Sequence, residues 1–304
     1  MVDKLGFIGI GTMGTPMSKR LLAAGYQLVV YDVNPEATAP LLELGAEEAS
    51  SPADLAERCG KAITMLPNST IVEQVALGPS GLAEGFAPGS LLIDMSSSIP
   101  ISTRKIAAAL AETSVAMIDA PVSGGPVGAA EGSLAIMVGG PEESYQSCLP
   151  ILQAMGKNTF HIGTIGSGHT LKTINNMMFA VNMLGVCEGL VTGVKAGLDP
   201  EKIVEVVSKS SGRSFALDTK AVRHILAKNF RPGFTTDLLY KDVDIATSLG
   251  RQLGVPMLAA NLALQILATA RGRGMNGLDN ACIVKLLEEA AGVTVVASQQ
   301  GATQ

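Results

Sequence analysis

Apolar residues in the first half of the chain gather in short runs separated by stretches where they recur every three or four positions. The runs at 4–10, 27–32, 61–66, 90–95 and 115–120, followed by 134–138 and 158–163, have the length and composition of strands. The segments between them have helical periodicity. One covers 13–24 and stops at Gly25, and another covers 35–44 and stops at Gly45, where glycine permits a left-handed cap. Ser51-Pro52 ahead of 53–58 is a helix cap followed by proline at the first helical position. Strands that alternate with helices predict parallel β-α-β units.

Past His161 the alternation ceases. Positions 167–196 run without proline, and as a helix they would span on the order of 45 Å. Gly197 closes this segment, Asp199-Pro200 opens the next, and helices are expected at 201–208, 215–227, 236–253, 257–271 and 280–291. The predicted class is α/β in 1–164 and all-helical in 165–304, with the long helix joining the two. The longest charge-free apolar stretch, 252–270, is divided by Pro256 and carries Asn261 and Gln265, which fits a buried helix better than a membrane span. At the start, MVDKLGFIGI puts an acidic residue and an early glycine turn where a signal peptide would have a basic region and an apolar core. A cytoplasmic protein with no membrane segment is expected.

Composition narrows the function classes. A chain of 304 residues that is 47% hydrophobic can bury two cores, so two domains are expected. The net charge of −5 and the lack of any Lys/Arg block exclude an electrostatic footprint for nucleic acid or an anionic membrane. With tryptophan absent, stacking platforms for bases are not expected either. Cys59, Cys148, Cys187 and Cys282 are scattered without ligand spacing, and His161, His169 and His224 do not cluster. Buried reduced thiols are expected, and no metal.

Gly9-Ile10-Gly11-Thr12-Met13-Gly14 is a GxGxxG pattern placed directly after a strand and opening a helix. In that setting the first glycine allows the tight turn and the second lets a pyrophosphate approach the backbone. The third lets helix and strand pack closely, while the helix N-terminus faces the phosphates. This is the fingerprint of a Rossmann dinucleotide-binding domain. Asp32, 18 positions past Gly14, ends the second strand, where a carboxylate accepts hydrogen bonds from a ribose diol. Val33, Asn34 and Pro35 follow it with no base for a 2′-phosphate, which favours NAD over NADP. As a bland alternative, Asp32 is a turn residue or helix cap ahead of Pro35.

Three further segments stand at carboxyl ends of predicted strands, where a parallel sheet opens its ligand crevice. They are Met65-Leu66-Pro67-Asn68, Asp94-Met95-Ser96-Ser97-Ser98 and Asp119-Ala120-Pro121-Val122-Ser123-Gly124-Gly125. In the last, Ser123 offers a hydroxyl and the glycines offer unobstructed N–H groups suited to a carboxylate, although Ser-Gly-Gly is also a common flexible turn. Asn68 and the serines of the second segment are equally suited to capping the helices that follow.

Near the start of the long helix, Lys172-Thr173-Ile174-Asn175-Asn176 sets positions 172 and 176 on one face, with 175 adjacent. Partial desolvation of a lysine favours the neutral amine, the form that takes a proton from an alcohol. The competing reading is a solvated first-turn lysine with asparagines bonded to neighbouring backbone. Lys241-Asp242 says little by itself, and Arg213 in Ser210-Ser211-Gly212-Arg213-Ser214 is either a carboxylate clamp or a surface loop residue.

Together, GFIGIGTMGTPM at 6–17, DMSS at 94–97, DAPVSGG at 119–125, GHTLKTINN at 168–176 and KD at 241–242 resemble the β-hydroxyacid dehydrogenase family over essentially the whole chain. The resemblance implies a Rossmann domain, a long interdomain helix, and a helical domain that assembles a homo-oligomer, dimer or tetramer. It implies Lys172 as catalytic acid/base, Asn176 orienting the substrate, and Ser123, Gly124 and Gly125 holding its carboxylate. Ser97 and Lys241 would lie on the nicotinamide side, and Gly9, Gly11, Thr12, Met13, Gly14, Asp32, Leu66 and Pro67 would hold the cofactor. Threonine is frequent in the family where this chain has Ser97, and the hydroxyl is kept. The segment at 210–214 is similar to that of a member acting on a dicarboxylate, which makes Arg213 a pointer to a second acidic group. The expected reaction is reversible hydride transfer between a nicotinamide and a small β-hydroxyacid of the 3-hydroxyisobutyrate type. The alternatives are reduction of tartronate, succinate or 2-formylglutarate-type semialdehydes, or a non-catalytic NAD-binding sensor or assembly protein.

Overall fold

A computed structural model describes residues 4–297. The chain divides into two compact units, Met1–Lys172 and Thr173–Gln304. The first three residues of the leader-free reading, and the last seven of the helical domain, lie outside the described residues.

Unit one holds a nine-stranded sheet. In chain order its strands are β1 Leu5–Ile8, β2 Leu28–Tyr31, β3 Glu47–Glu48, β4 Lys61–Thr64, β5 Leu91–Asp94, β6 Ala116–Asp119, β7 Val122–Ser123, β8 Ala135–Gly139 and β9 Asn158–Gly163. Its helices are α1 Gly14–Ala23, α2 Pro35–Leu42, α3 Pro52–Arg58, α4 Ser69–Leu77, α5 Leu82–Gly85, α6 Pro100–Ala111, α7 Gly125–Glu131 and α8 Glu142–Met155. Strands follow the order β3-β2-β1-β4-β5-β6-β8-β7, with β9 on β8. From β3 to β6 every pairing is parallel, whereas β8 runs antiparallel to β6 and β7.

Helices on both faces explain why the strands read as continuous apolar runs rather than alternating ones. Leu5, Phe7, Val30, Ile63, Ile93 and Ile118 join Met17, Leu21, Leu152 and Met155 in one core. Their strand neighbours Ile8, Val29, Ala62, Leu92 and Met117 join Leu55, Val72, Ile106 and Leu110 in the other. Three strands escape the apolar pattern, among them β9, none of whose residues is buried. β3 is two glutamates at the sheet edge, and β7 is a two-residue strand just before Gly124.

The division between units falls inside α9, Ser167–Lys195, which is continuous across it. Unit two continues with α10 Pro200–Val207, a π-helix Ala216–Leu226, α11 Thr236–Gln252, α12 Leu258–Gly272, a 3₁₀ turn Asn280–Ile283 and α13 Val284–Ala291. The sequence places these helices correctly, but apolar spacing over so few turns does not separate π or 3₁₀ pitch from α. The 252–270 stretch is split between α11 and α12, as Pro256 requires. Among the described residues α9 is the one helix long and apolar enough to cross a membrane. Its apolar side chains Met183, Cys187, Leu190 and Val191 belong to the core of unit two, with Leu217, Ile225, Val243, Leu267 and Val284. All four cysteines are buried and free, and burial raises the thiol of Cys59 to about 11.

Candidate active site

The glycine loop after β1 shows three distinct constraints. Gly9 has φ +96°, and a Cβ there would stand 2.3 Å from the Met65 carbonyl oxygen. At Gly14 a Cβ would stand 1.8 Å from the Gly9 carbonyl oxygen and 3.2 Å from the Phe7 ring, so only glycine lets α1 pack this closely. A Cβ at Gly11 would meet nothing within 4 Å. The middle glycine is thus required by nothing in the protein itself, which fits a cradle kept open for a ligand. Thr12 is exposed and Met13 half-buried just before α1, whose first N–H groups have no side-chain cap.

Asp32 closes this loop from β2. Its Oδ2 accepts the Ile10 N–H at 2.7 Å and its Oδ1 accepts the Asn34 N–H at 2.9 Å. The cap of α2 is Asn34, not Asp32. Bound on one side by the loop and half-exposed, the carboxylate retains lone pairs for a diol. The residues present fit a dinucleotide.

Leu66 and Pro67 follow β4, and Asn68 caps α4 by accepting the Ile71 N–H at 3.0 Å. The Leu66 N–H donates to Ser96 Oγ at 2.9 Å, tying the loop after β4 to the loop after β5 that carries half-buried Ser97. None of these serines caps α6. Ser98 instead donates to Asp94 Oδ2 at 3.0 Å, while Asp94 Oδ1 accepts from Thr64 Oγ1 and Ser96 N at 3.0 Å each.

Asp94 and Asp119 are register partners on neighbouring strands, and both are fully buried. Asp119 accepts the Gly166 N–H at 2.6 Å and the His169 N–H at 2.7 Å, so one carboxylate holds the N-terminus of α9. Burial pushes its carboxyl above the ordinary carboxylate range. Lys172 follows within the next turn and is half-buried. Ser123 ends β7, paired with Ala135. Gly124 and Gly125 adopt φ +134° and +63°, so the Ser-Gly-Gly segment is a defined turn into α7 that glycine makes possible.

In unit two the polar residues of α9 meet α11. Asn176 Nδ2 donates to Asp242 Oδ2 at 2.6 Å, Asn175 Nδ2 donates to Asn176 Oδ1 at 3.0 Å, and Lys241 Nζ lies 3.5 Å from Asp242 Oδ1. Asn176 and Asp242 are buried, so this bond holds the asparagine in one rotamer. Arg213 stands elsewhere: its Nε donates to Asp218 Oδ2 at 2.7 Å on an exposed surface, and the pairing lowers the Asp218 pKa.

Sequence reasoning named Lys241 and passed over Asp242, which holds Asn176. It also missed His169 and the carboxylates of Asp94 and Asp119 as structural partners of the site. The available signal was an acid at the same end position of two adjacent strands, followed by a lone histidine one turn before the lysine.

Residues 4–163 match the NAD binding domain of 6-phosphogluconate dehydrogenase, and 166–287 match the NAD-binding domain of NADP-dependent 3-hydroxyisobutyrate dehydrogenase. The chain is 38% identical to 2-(hydroxymethyl)glutarate dehydrogenase of Eubacterium barkeri, over 97% of this chain and 98% of that one. It is 36% identical to mitochondrial 3-hydroxyisobutyrate dehydrogenase of Mus musculus, over 94% and 87%. Among solved structures, Mycobacterium tuberculosis 3-hydroxyisobutyrate dehydrogenase with L-serine superimposes with a TM-score of 0.86 at 29% identity, covering 94% of this chain and 99% of that one.

Proposed function

The chain belongs to the β-hydroxyacid dehydrogenase family, and from that premise we propose that it reversibly oxidises a short β-hydroxy monocarboxylate with Lys172 as general acid/base. It is an NAD-dependent dehydrogenase acting on CH–OH groups. Bound NAD supplies the hydride acceptor. Lys172 takes the hydroxyl proton during oxidation and returns it during reduction. Asn176 orients the substrate oxygen, and the Ser123 hydroxyl with the N–H groups of Gly124 and Gly125 holds the carboxylate. Gly9, Gly11, Thr12, Met13, Gly14, Leu66 and Pro67 cradle the dinucleotide, with Ser97 and Lys241 on its nicotinamide side. Asp32 takes the ribose diol, and Asp32-Val33-Asn34-Pro35 offers no cation for a 2′-phosphate, which selects NAD over NADP.

The observation that carries this reading is the buried Asn176–Asp242 bond one helical turn beyond Lys172, on the same face of α9. A sensor or assembly protein would have no use for so constrained an amide beside a lysine. The functional domains are taken as 1–164 and 165–304, so α9 serves the second. Exposed apolar side chains on unit two, including Leu198, Val206, Leu258 and Leu262, support a homo-oligomer, dimer or tetramer. A cytoplasmic location accords with this chemistry.

One panel tests the proposal: 3-hydroxyisobutyrate, L-serine, 2-(hydroxymethyl)glutarate, and the tartronate and succinate semialdehydes, each followed by absorbance of the reduced cofactor. Turnover led by a monocarboxylate with NAD is expected. Failure of every substrate, or a clearly higher kcat/KM with NADP(H), would overturn the reading. A dicarboxylate reading is favoured by Arg213 and by the relative named 2-(hydroxymethyl)glutarate dehydrogenase, and it would lead the panel if Arg213 exchanged Asp218 for substrate.

A further inference from the structure

His169 is buried to 1% exposure, and the proton-transfer chemistry leaves it unused. Its backbone N–H is spent on Asp119, yet its ring is also fully bonded. Nε2 lies 2.9 Å from the Ser96 carbonyl oxygen. A carbonyl only accepts, so Nε2 carries the hydrogen, and Nδ1 pairs with the Thr103 hydroxyl at 2.8 Å, an oxygen that also lies 3.2 Å from the Ile99 carbonyl. The carboxylates facing the ring are Asp94, 3.8 Å from Nε2, and Asp119, 3.5 Å from Nδ1. The ring thereby joins the loop after β5, the helix α6 and the first turn of α9.

The backbone of that first turn is already tightly seated. A Cβ on Gly168 would stand 2.2 Å from the Met137 carbonyl oxygen, and one on Gly139 would stand 2.5 Å from Asp119 Oδ1. Ser96 in turn receives the Leu66 N–H, so hydrogen bonds run from the loop after β4, through Ser96, to the His169 ring. Leu66 and Ser97 lie on the two loops assigned to the cofactor. Lys172 lies three residues beyond His169, a neighbouring position on the helix surface. These contacts all fall within Met1–Lys172.

We propose that His169 is a positioning residue, whose ring ties the turn of α9 carrying Lys172 to the two loops assigned to the cofactor. The inference rests on Lys172 being the acid/base. Its chemical logic is distance: the proton and the hydride leave the oxygen and carbon of the same carbinol, so the lysine and the cofactor loops need a common frame. An imidazole bonded at both nitrogens is stiffer than an apolar side chain of similar size, because it has two directional contacts to keep.

The test uses the full chain with NAD and the best substrate of the panel, comparing His169→Leu, His169→Gln, Thr103→Val and Lys172→Ala. Displacement of a reacting group by 1 Å costs about 10²-fold in rate, so His169→Leu is expected to lose roughly 10–100-fold in kcat. KM for the hydroxyacid and the NADH dissociation constant, read by fluorescence, should stay within about threefold, because the ring is buried and its nitrogens are bonded within the protein. Glutamine can donate to the Ser96 carbonyl and accept from Thr103, so His169→Gln should recover most of the loss. Thr103→Val keeps the volume and removes one ring partner, and should lower kcat in the same direction by a smaller factor. It also stands in should His169→Leu fail to fold.

Wild-type kcat in Thr103→Val and His169→Leu, with Lys172→Ala inactive, would overturn this inference and leave the lysine assignment standing. So would parallel losses in kcat, KM and Tm that glutamine does not relieve, since they mark a histidine that only fills the core. Full activity in Lys172→Ala would overturn the lysine assignment itself.

Discussion

The glycine loop of unit one and the amide cluster of unit two solve opposite problems. Around Gly9, Gly11 and Gly14 the site is made by what side chains would obstruct: two positions where a Cβ strikes backbone and one where it strikes nothing. Around Asn176 and Asp242 the site is made by side chains alone, held by one hydrogen bond of 2.6 Å between buried groups. A pyrophosphate needs backbone N–H groups and room, which a fixed glycine spacing supplies. A carbinol needs a proton acceptor and an oriented amide, which any helix can present at a spacing of four. The backbone-built half therefore announces itself in sequence, while the side-chain-built half needs its partners to be seen.

That contrast can be broken at its sharpest point first. Lys172→Ala should lower kcat by roughly 10²–10⁴-fold, the span attributed to a positioned acid/base, while NADH affinity measured by fluorescence titration stays unchanged. A variant with wild-type kcat would return Lys172 to an ordinary helix residue.

Within the glycine loop, Gly14→Ala and Gly11→Ala should separate. The first forces a methyl against the Gly9 carbonyl and should destabilise the protein by about 1–3 kcal/mol, lowering its Tm. The second has free space and should leave Tm unchanged while raising the KM for NAD. Equal Tm values for the two would show that the third glycine is not a packing requirement.

Asn176→Ala removes a donor from a buried carboxylate, which costs about 1–3 kcal/mol of stability, and kcat/KM should fall with it. Chemical denaturation together with steady-state kinetics reads both. A loss of stability alone would make the amide purely structural. Asp32→Ala should weaken NAD binding and narrow the preference over NADP, as the ratio of the two kcat/KM values would report. The smallest effect is expected at Arg213. An exposed pair such as Arg213–Asp218 contributes at most about 1 kcal/mol, so Arg213→Gln should barely alter monocarboxylate turnover. A selective loss on 2-(hydroxymethyl)glutarate would move the substrate class to dicarboxylates.

Much of this molecule was legible in the chain. The apolar runs of β1, β2, β4, β5 and β6 are continuous because both faces of the sheet are covered, and they stand out for that reason. β3 did not, since two glutamates at an edge bury nothing. The Ser-Gly-Gly segment looked like a flexible turn until the positive φ values of its glycines showed a defined entry into α7. Asp32 was readable as a carboxylate at the end of the second strand, at a fixed distance from the glycines, but its bond to the Ile10 N–H was not.

The sequence by itself determined the order of elements, the glycine cradle and its carboxylate, and the lysine and asparagine on one helical face. Each is a local property, set by spacing along the chain and by the conformations a residue allows. Only the tertiary structure decided that Asp242 holds Asn176, and that Arg213 is engaged with Asp218. It likewise placed His169 between Ser96 and Thr103, beside two carboxylates from neighbouring strands. The hydrogen-bonded partners are separated by as many as 73 residues, and a hydrogen bond at that separation exists only once strand register and helix packing have brought its two ends within reach.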